Sequence, residues 1–209
     1  QGNKPEEKIV RMEAEMAKAP AEMKPVMETI LANWYWHYFQ QNRWRFMQRT
    51  ATAQSPSDDF TTWDLPRIFA EIDKHFSAAL SAEELLRKTP VAEYDALLEK
   101  GAMPDRYRPT LYDFVAANAL EFYTSGEQAA AKPADAFELP ATGPIFDPLD
   151  AFLAWKIETA DPQSPTFKAV KLYQELLGFH QKAENADPLV DWNLDRLRFG
   201  HNKAFGEEK

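Results

Sequence analysis

The chain has 209 residues, of which 44% are hydrophobic and 13% aromatic, with a formal net charge of −9. That composition supports a packed core and excludes global disorder, and its acidity speaks against a nucleic-acid surface, which needs a basic face. There are no cysteines, so disulfides, thiolate metal sites and a cysteine nucleophile are excluded, and no apolar run reaches the roughly 18 residues of a membrane span.

Residues 1–10 hold no apolar signal core, so an exported protein is expected to have lost its signal before this point. From Pro5 a short helix is predicted, with Glu6 and Glu7 complementing its dipole and Ile9, Met12 and Met16 at helical spacing. A second helix is predicted over 22–41, with Val26, Met27, Ile30, Leu31, Trp34, Tyr38 and Gln41 on one face and Trp36 and Phe39 widening it. This helix leads into the densest stretch of the chain, residues 32–50, which carries Trp34, Tyr35, Trp36, Tyr38, Phe39, Trp44 and Phe46 and then Arg43, Arg45 and Arg49. Its helical half reads as a central core helix. Residues 42–50 suit either a helical turn or an extended piece.

A polar linker is expected over 51–62. Asp64 is then a natural N-cap, with Pro66 just inside the helix and Ile68, Phe69, Ile72, His75 and Phe76 facing inward. Ser81 with Glu84 has the capping-box pattern. Thr89-Pro90 predicts another helix, over 91–100, with Gly101 behind it. Residues 103–110 form a loop. Thr110 caps a helix with Leu111, Phe114, Val115, Asn118 and Phe122 on one side. The proline-rich segment 127–146 is predicted as an irregular surface loop. Helices are then expected to open at Asp147-Pro148, Ser164-Pro165 and Asp187-Pro188.

The predicted fold is therefore all-α, in antiparallel helical pairs around one core. Residues 1–126 form an aromatic-centred bundle, 127–146 the connecting loop, and 147–209 an array resembling tetratricopeptide-like helical hairpins that is expected to continue in a longer chain.

Catalytic chemistry finds little footing. The four histidines, His37, His75, His180 and His201, have no metal-ligand spacing, so no metal is expected. No nucleophile elbow or glycine-rich phosphate loop occurs, and no cofactor is expected. A helical hydrolase built on an acidic pair would need two carboxylates close together in a concave pocket. Candidate partner-binding residues are Arg43, Arg45, Arg49, Arg106, Tyr107 and Arg108, because arginine and aromatic side chains dominate binding hot spots. Read structurally, the same residues form an arginine–aromatic and arginine–carboxylate network that fixes a helix to a loop.

Five blocks carry a family resemblance: WHYFQQNRWRFMQRT (36–50), DFTTWDLPRIFAEI (59–72), DRYRPTLYDFVAANALEFY (105–123), PADAFELP (133–140) and KLYQELLGFH (171–180). In order and spacing they resemble the N-terminal helical region of alpha-2-macroglobulin-family proteins of Bacteroidetes-type bacteria, over most of residues 24–199. The resemblance implies a non-enzymatic scaffold or interaction region of an exported protease-trapping protein, periplasmic or lipid-anchored at the cell envelope. Its partners would be the downstream macroglobulin-like domains of the same parent chain, with proteases or envelope proteins beyond them. The family's thioester needs a cysteine, which this chain lacks, and no bait segment is identified. The alternative is a freestanding protein- or glycan-binding helical module of the envelope.

Overall fold

The structure is a computed structural model that describes residues 4–49, 58–98, 101–131 and 137–206. Among these residues it is all-α, with no strand and two isolated β-bridges. It forms two compact units: Gln1–Thr89 with Ala130–Lys132, and Pro90–Ala129 with Pro133–Lys209.

The first unit holds α1 (Pro5–Met16), α2 (Lys24–Gln41), α3 (Arg43–Met47), α4 (Leu65–Leu80) and α5 (Glu83–Lys88). Proline stands in the first turn of α1, α2 and α4, where its missing N–H costs nothing. Asp64 caps α4 as predicted, its carboxylate accepting the Arg67 N–H at 3.0 Å. Ile68, Phe69, Ile72, His75 and Phe76 all face inward.

α2 is the centre of this unit, and its inward face overlaps the predicted one only in part. The buried residues are Val26, Leu31, Ala32, Tyr35, Trp36, Tyr38 and Phe39, whereas Trp34 is half-buried and Gln41 exposed. The reason is that α2 packs against both α1 and α4, so it buries two sides. Phe39 meets Phe69 edge-on at 4.8 Å, and Tyr35 stacks on His75 at 5.8 Å. Contacts nearer the end of α2 meet the beginning of α4, so the pair is antiparallel.

One predicted signal in this unit fails. Ser81 does not cap α5: its hydroxyl donates backward to the Ala78 carbonyl, and Ala82 stands at the N-cap without a side-chain bond. The predicted linker, 51–62, falls mostly outside the described residues, and its end is a 3-10 turn, Phe60–Thr62, with Asp59 capping the Thr61 N–H.

The second unit opens at Thr89-Pro90. The predicted α-helix there is instead a 3-10 turn, Val91–Tyr94, followed by turns as far as the described residues run. Thr89 spends its hydroxyl on the Leu85 carbonyl, and Pro90 pairs as a bridge with Thr110. Its helices are α6 (Leu111–Thr124), α8 (Leu149–Ala154), α9 (Pro165–His180) and α10 (Asp187–Lys203), and the short α7 (Gln128–Ala131) falls across the division between the units. α6, which the sequence groups with the N-terminal helices, packs on α9.

α9 lies between α6 and α10 as an antiparallel neighbour of both. Against α6, Phe179 meets Tyr112 and Lys168 meets Tyr123. Against α10, Tyr173 meets Phe199, and the α9 end reaches the first turns of α10. The inward face of α6 runs through Tyr112, Ala116, Ala119 and Tyr123, while Phe114 and Asn118 are half-buried.

The segment predicted as a surface loop is partly core. Phe137, Leu139 and Ile145 are buried. Residues 144–146 form a 3-10 turn against α10, where a Cβ on Gly200 would lie 3.0 Å from Ile145. Glycine is what permits that approach. Asp147 and Asp187 do not act as side-chain caps. Pro148 precedes α8, and the Asn185 side chain accepts the Asp187 N–H.

Candidate interaction surface

The α2–α3 junction sorts its side chains by height in the fold. Phe46 points inward, 1% exposed, against Tyr38 and Phe39. On the other side of the same short helix Trp44 is 73% exposed and Met47 48%. Residues three apart share a helical face, so Trp44 and Met47 form one outward apolar face. Arg43 and Arg45 flank it and are also exposed.

Arg49 does a different job. Its guanidinium donates to the carbonyls of Thr61 and Trp63 and lies over the Phe46 ring at 5.1 Å. It therefore fastens the end of α3 to the 60–62 turn. Arg45 reaches the Thr61 carbonyl only at 3.5 Å, which leaves its fork facing solvent. Of the three arginines singled out in the sequence, one is a brace and two border an exposed tryptophan.

Arg106, Tyr107 and Arg108 lie in the second unit, on the loop before α6. Arg106 covers the Tyr107 ring at 4.8 Å, donates to its hydroxyl at 2.8 Å and faces Asp187 at 3.4 Å. Its carbonyl accepts from Asn185. Arg108 lies over the Trp192 ring at 4.3 Å and faces Asp191 at 3.5 Å. The two arginines thus hold the loop to the start of α10, and Tyr107 serves as the ring on which Arg106 lies.

The first unit has a groove of about 820 Å³ beside α1 and α4. Glu13 and Glu71 both line it. Glu13 accepts the Tyr35 hydroxyl at 2.6 Å, and burial together with that carboxylate pushes the phenol pKa well above its ordinary value. Glu71 holds Lys74 at 2.5 Å and faces His75 at 3.2 Å. Its pKa is drawn down to about 2, by the His75 ring first and then by Lys74. A carboxylate held ionised that firmly serves as an ion-pair partner and not as a proton donor at neutral pH.

His75 is the hidden member of this cluster. Its Nδ1 lies 2.5 Å from Glu28 on α2, and its Nε2 faces Glu71 on its own helix at an angle short of a hydrogen bond. Burial opposes a charge on the ring, but the two carboxylates outweigh it and the His75 pKa is raised. With an acceptor at each nitrogen, the doubly protonated ring is the form that fits.

A second polar cluster, which sequence reasoning missed, lies inside the second unit. Asp113 has no exposed side-chain surface. One oxygen accepts the Thr110 N–H at 3.0 Å and its hydroxyl at 2.7 Å, completing a capping box. The other accepts His180 Nε2 at 2.6 Å and Trp192 Nε1 at 2.9 Å. One carboxylate so ties α6, α9 and α10 together. Its place just after a cap gives no hint of this in the sequence, because His180 and Trp192 lie 67 and 79 residues away.

Among the described residues no His, Asp or Glu cluster has the make-up of a metal site, and no helix is long and apolar enough to cross a membrane. No protein-family model matches the chain, and no curated protein or solved structure matches it. The resemblance to the macroglobulin family therefore rests on its five sequence blocks.

Proposed function

We propose that this chain is a non-enzymatic helical scaffold that binds a protein partner, as the N-terminal region of an exported, alpha-2-macroglobulin-like protease-trapping protein of the cell envelope. The observation that supports it best is Trp44. A tryptophan 73% exposed, in a helix whose neighbouring Phe46 is core, leaves a large apolar ring in water, and such rings flanked by arginine are the usual anchors of protein interfaces. The polar cluster of the same unit fits this reading: Glu28 and Glu71 hold His75 between α2 and α4, which gives a rigid platform for a surface patch.

The parent-protein reading is tested in the reading frame. It is expected to continue past Lys209 into β-rich macroglobulin-like repeats, and a stop codon there would overturn it. The binding reading is tested by calorimetry of this chain against those downstream domains. Trp44→Ala is expected to weaken binding at least tenfold while leaving the thermal melt unchanged, and equal affinity for the two proteins sinks the role given to α3. A freestanding envelope module is the second reading. Trp44 also offers a stacking face to a sugar ring, and a tryptophan fluorescence response to a panel of oligosaccharides would favour it.

A further inference from the structure

We infer that the outward face of α3 docks an acidic segment of a partner protein, one that carries an apolar side chain to cover Trp44. The inference rests on the partner-binding reading above and adds the partner's chemistry.

The argument begins in the charge pattern. The chain carries 33 acidic residues and a net charge of −9, yet from Thr29 to Ser57 it has no Asp or Glu at all. Among its described residues, 29–49, the exposed side chains are concentrated where α2 hands over to α3. They are His37, Gln40, Gln41, Arg43, Arg45 and Gln48, around Trp44 and Met47. That stretch of an acidic chain contributes no carboxylate to the surface and sets Arg43 and Arg45 there, and the nearby Asp59 is engaged in capping the 60–62 turn. Charge complementarity then selects a partner with carboxylates, since the exposed Arg45 fork matches one with two parallel hydrogen bonds. At physiological ionic strength the Debye length is about 8 Å, so the local charges count and the distant acidic surface is screened.

Geometry completes the match. Arg49 braces α3 from behind on the Thr61 and Trp63 carbonyls, so the face is ordered before a partner arrives and less entropy is lost on docking. The arginine–tryptophan pairing would also suit an anionic lipid surface. Two exposed apolar side chains on a five-residue helix are too small an apolar face for stable insertion, whose strength scales with the apolar area buried.

The test uses the whole chain labelled with 5-fluorotryptophan, with the Trp44 fluorine signal assigned by its loss in Trp44→Phe. Three probes are titrated: a peptide in which glutamate alternates with leucine and phenylalanine, its lysine-for-glutamate counterpart, and phosphatidylglycerol vesicles. The acidic peptide is expected to move the Trp44 signal. Its affinity should fall about tenfold in Arg45→Glu and again on raising the salt from 0.05 to 0.5 M. Both Arg45→Glu and Trp44→Phe sit on the surface, and unchanged circular dichroism would certify the fold. A lysine peptide that binds as well as the acidic one overturns the inference, as does a response to vesicles alone or to no probe. If the downstream domains bind through Trp44 while the acidic peptide does not, the acidic chemistry falls and the docking reading stands; if neither engages Trp44, both fall.

Discussion

Asp113 shows how much one side chain organises. A fully buried carboxylate is costly to desolvate and is kept only where every lone pair is used. Here the four bonds come from Thr110 (N–H and hydroxyl), His180 and Trp192. Asp113→Asn keeps the shape but turns one acceptor into a donor, so an N–H must face another N–H or a hydroxyl. The expected loss is about 3 kcal/mol in a urea melt, and a loss below about 1 kcal/mol would mean that the network adds little. His75 makes a prediction of the other kind. Its folded pKa is raised, so its contribution is complete below the unfolded value of about 6.5 and is lost as pH rises through the folded one. Glu71 works oppositely. Its folded pKa of about 2 means that its contribution is present above an unfolded value of about 4.3 and is lost as pH falls toward 2. The groups facing them are Glu28 and Tyr35 from α2 and Lys74 from α4, with Glu13 of α1 behind Tyr35. Thermal melts from pH 5 to 9 should therefore show a decline above about pH 6.5 that His75→Gln removes; an identical decline in the variant would assign it elsewhere.

At the scale of the helix, what was legible in the sequence is what local chemistry decides. Asp64 and Ser164 cap their helices because the N–H each accepts lies three residues on, within reach of any reader of the sequence. Thr89-Pro90 carries the same signal and opens no α-helix, because Thr89 bonds backward and Pro90 pairs with Thr110, twenty residues away. The face of α2 was legible in part. Spacing finds Val26, Leu31 and Tyr38, with Trp36 and Phe39 widening the stripe, but burial on two sides also takes in Tyr35 and leaves Trp34 half-buried. The exposure of Trp44 was hidden as well, since nothing in an aromatic run says which ring is left out. These placements predict a graded series in denaturant melts. Trp36→Ala should cost about 3–5 kcal/mol, half-buried Trp34→Ala less, and Trp44→Ala within about 0.5 kcal/mol of zero. A reversed order would show that the burial pattern of α2 and α3 is wrong.

Across the whole molecule, stability should follow the helices that are enclosed. α2 in the first unit is flanked by α1 and α4, and α9 in the second by α6 and α10. Both carry rows of fully buried residues, from Leu31 to Phe39 and from Ala169 to Leu177. α3 and α5 are short, with one buried residue each, and helices of that length have no stability of their own in water. Amide exchange reports this directly, because buried helices open only with the fold around them whereas short surface helices open alone. Deuterium uptake by mass spectrometry is therefore expected to be slowest in α2, α4 and α9 and much faster in α3 and α5. α3 is the informative case, because Arg49 clamps its end. Arg49→Ala should raise uptake in residues 43–47 severalfold while leaving α9 unchanged. Unaltered α3 exchange in that variant would mean that its outward face is held by something other than the clamp.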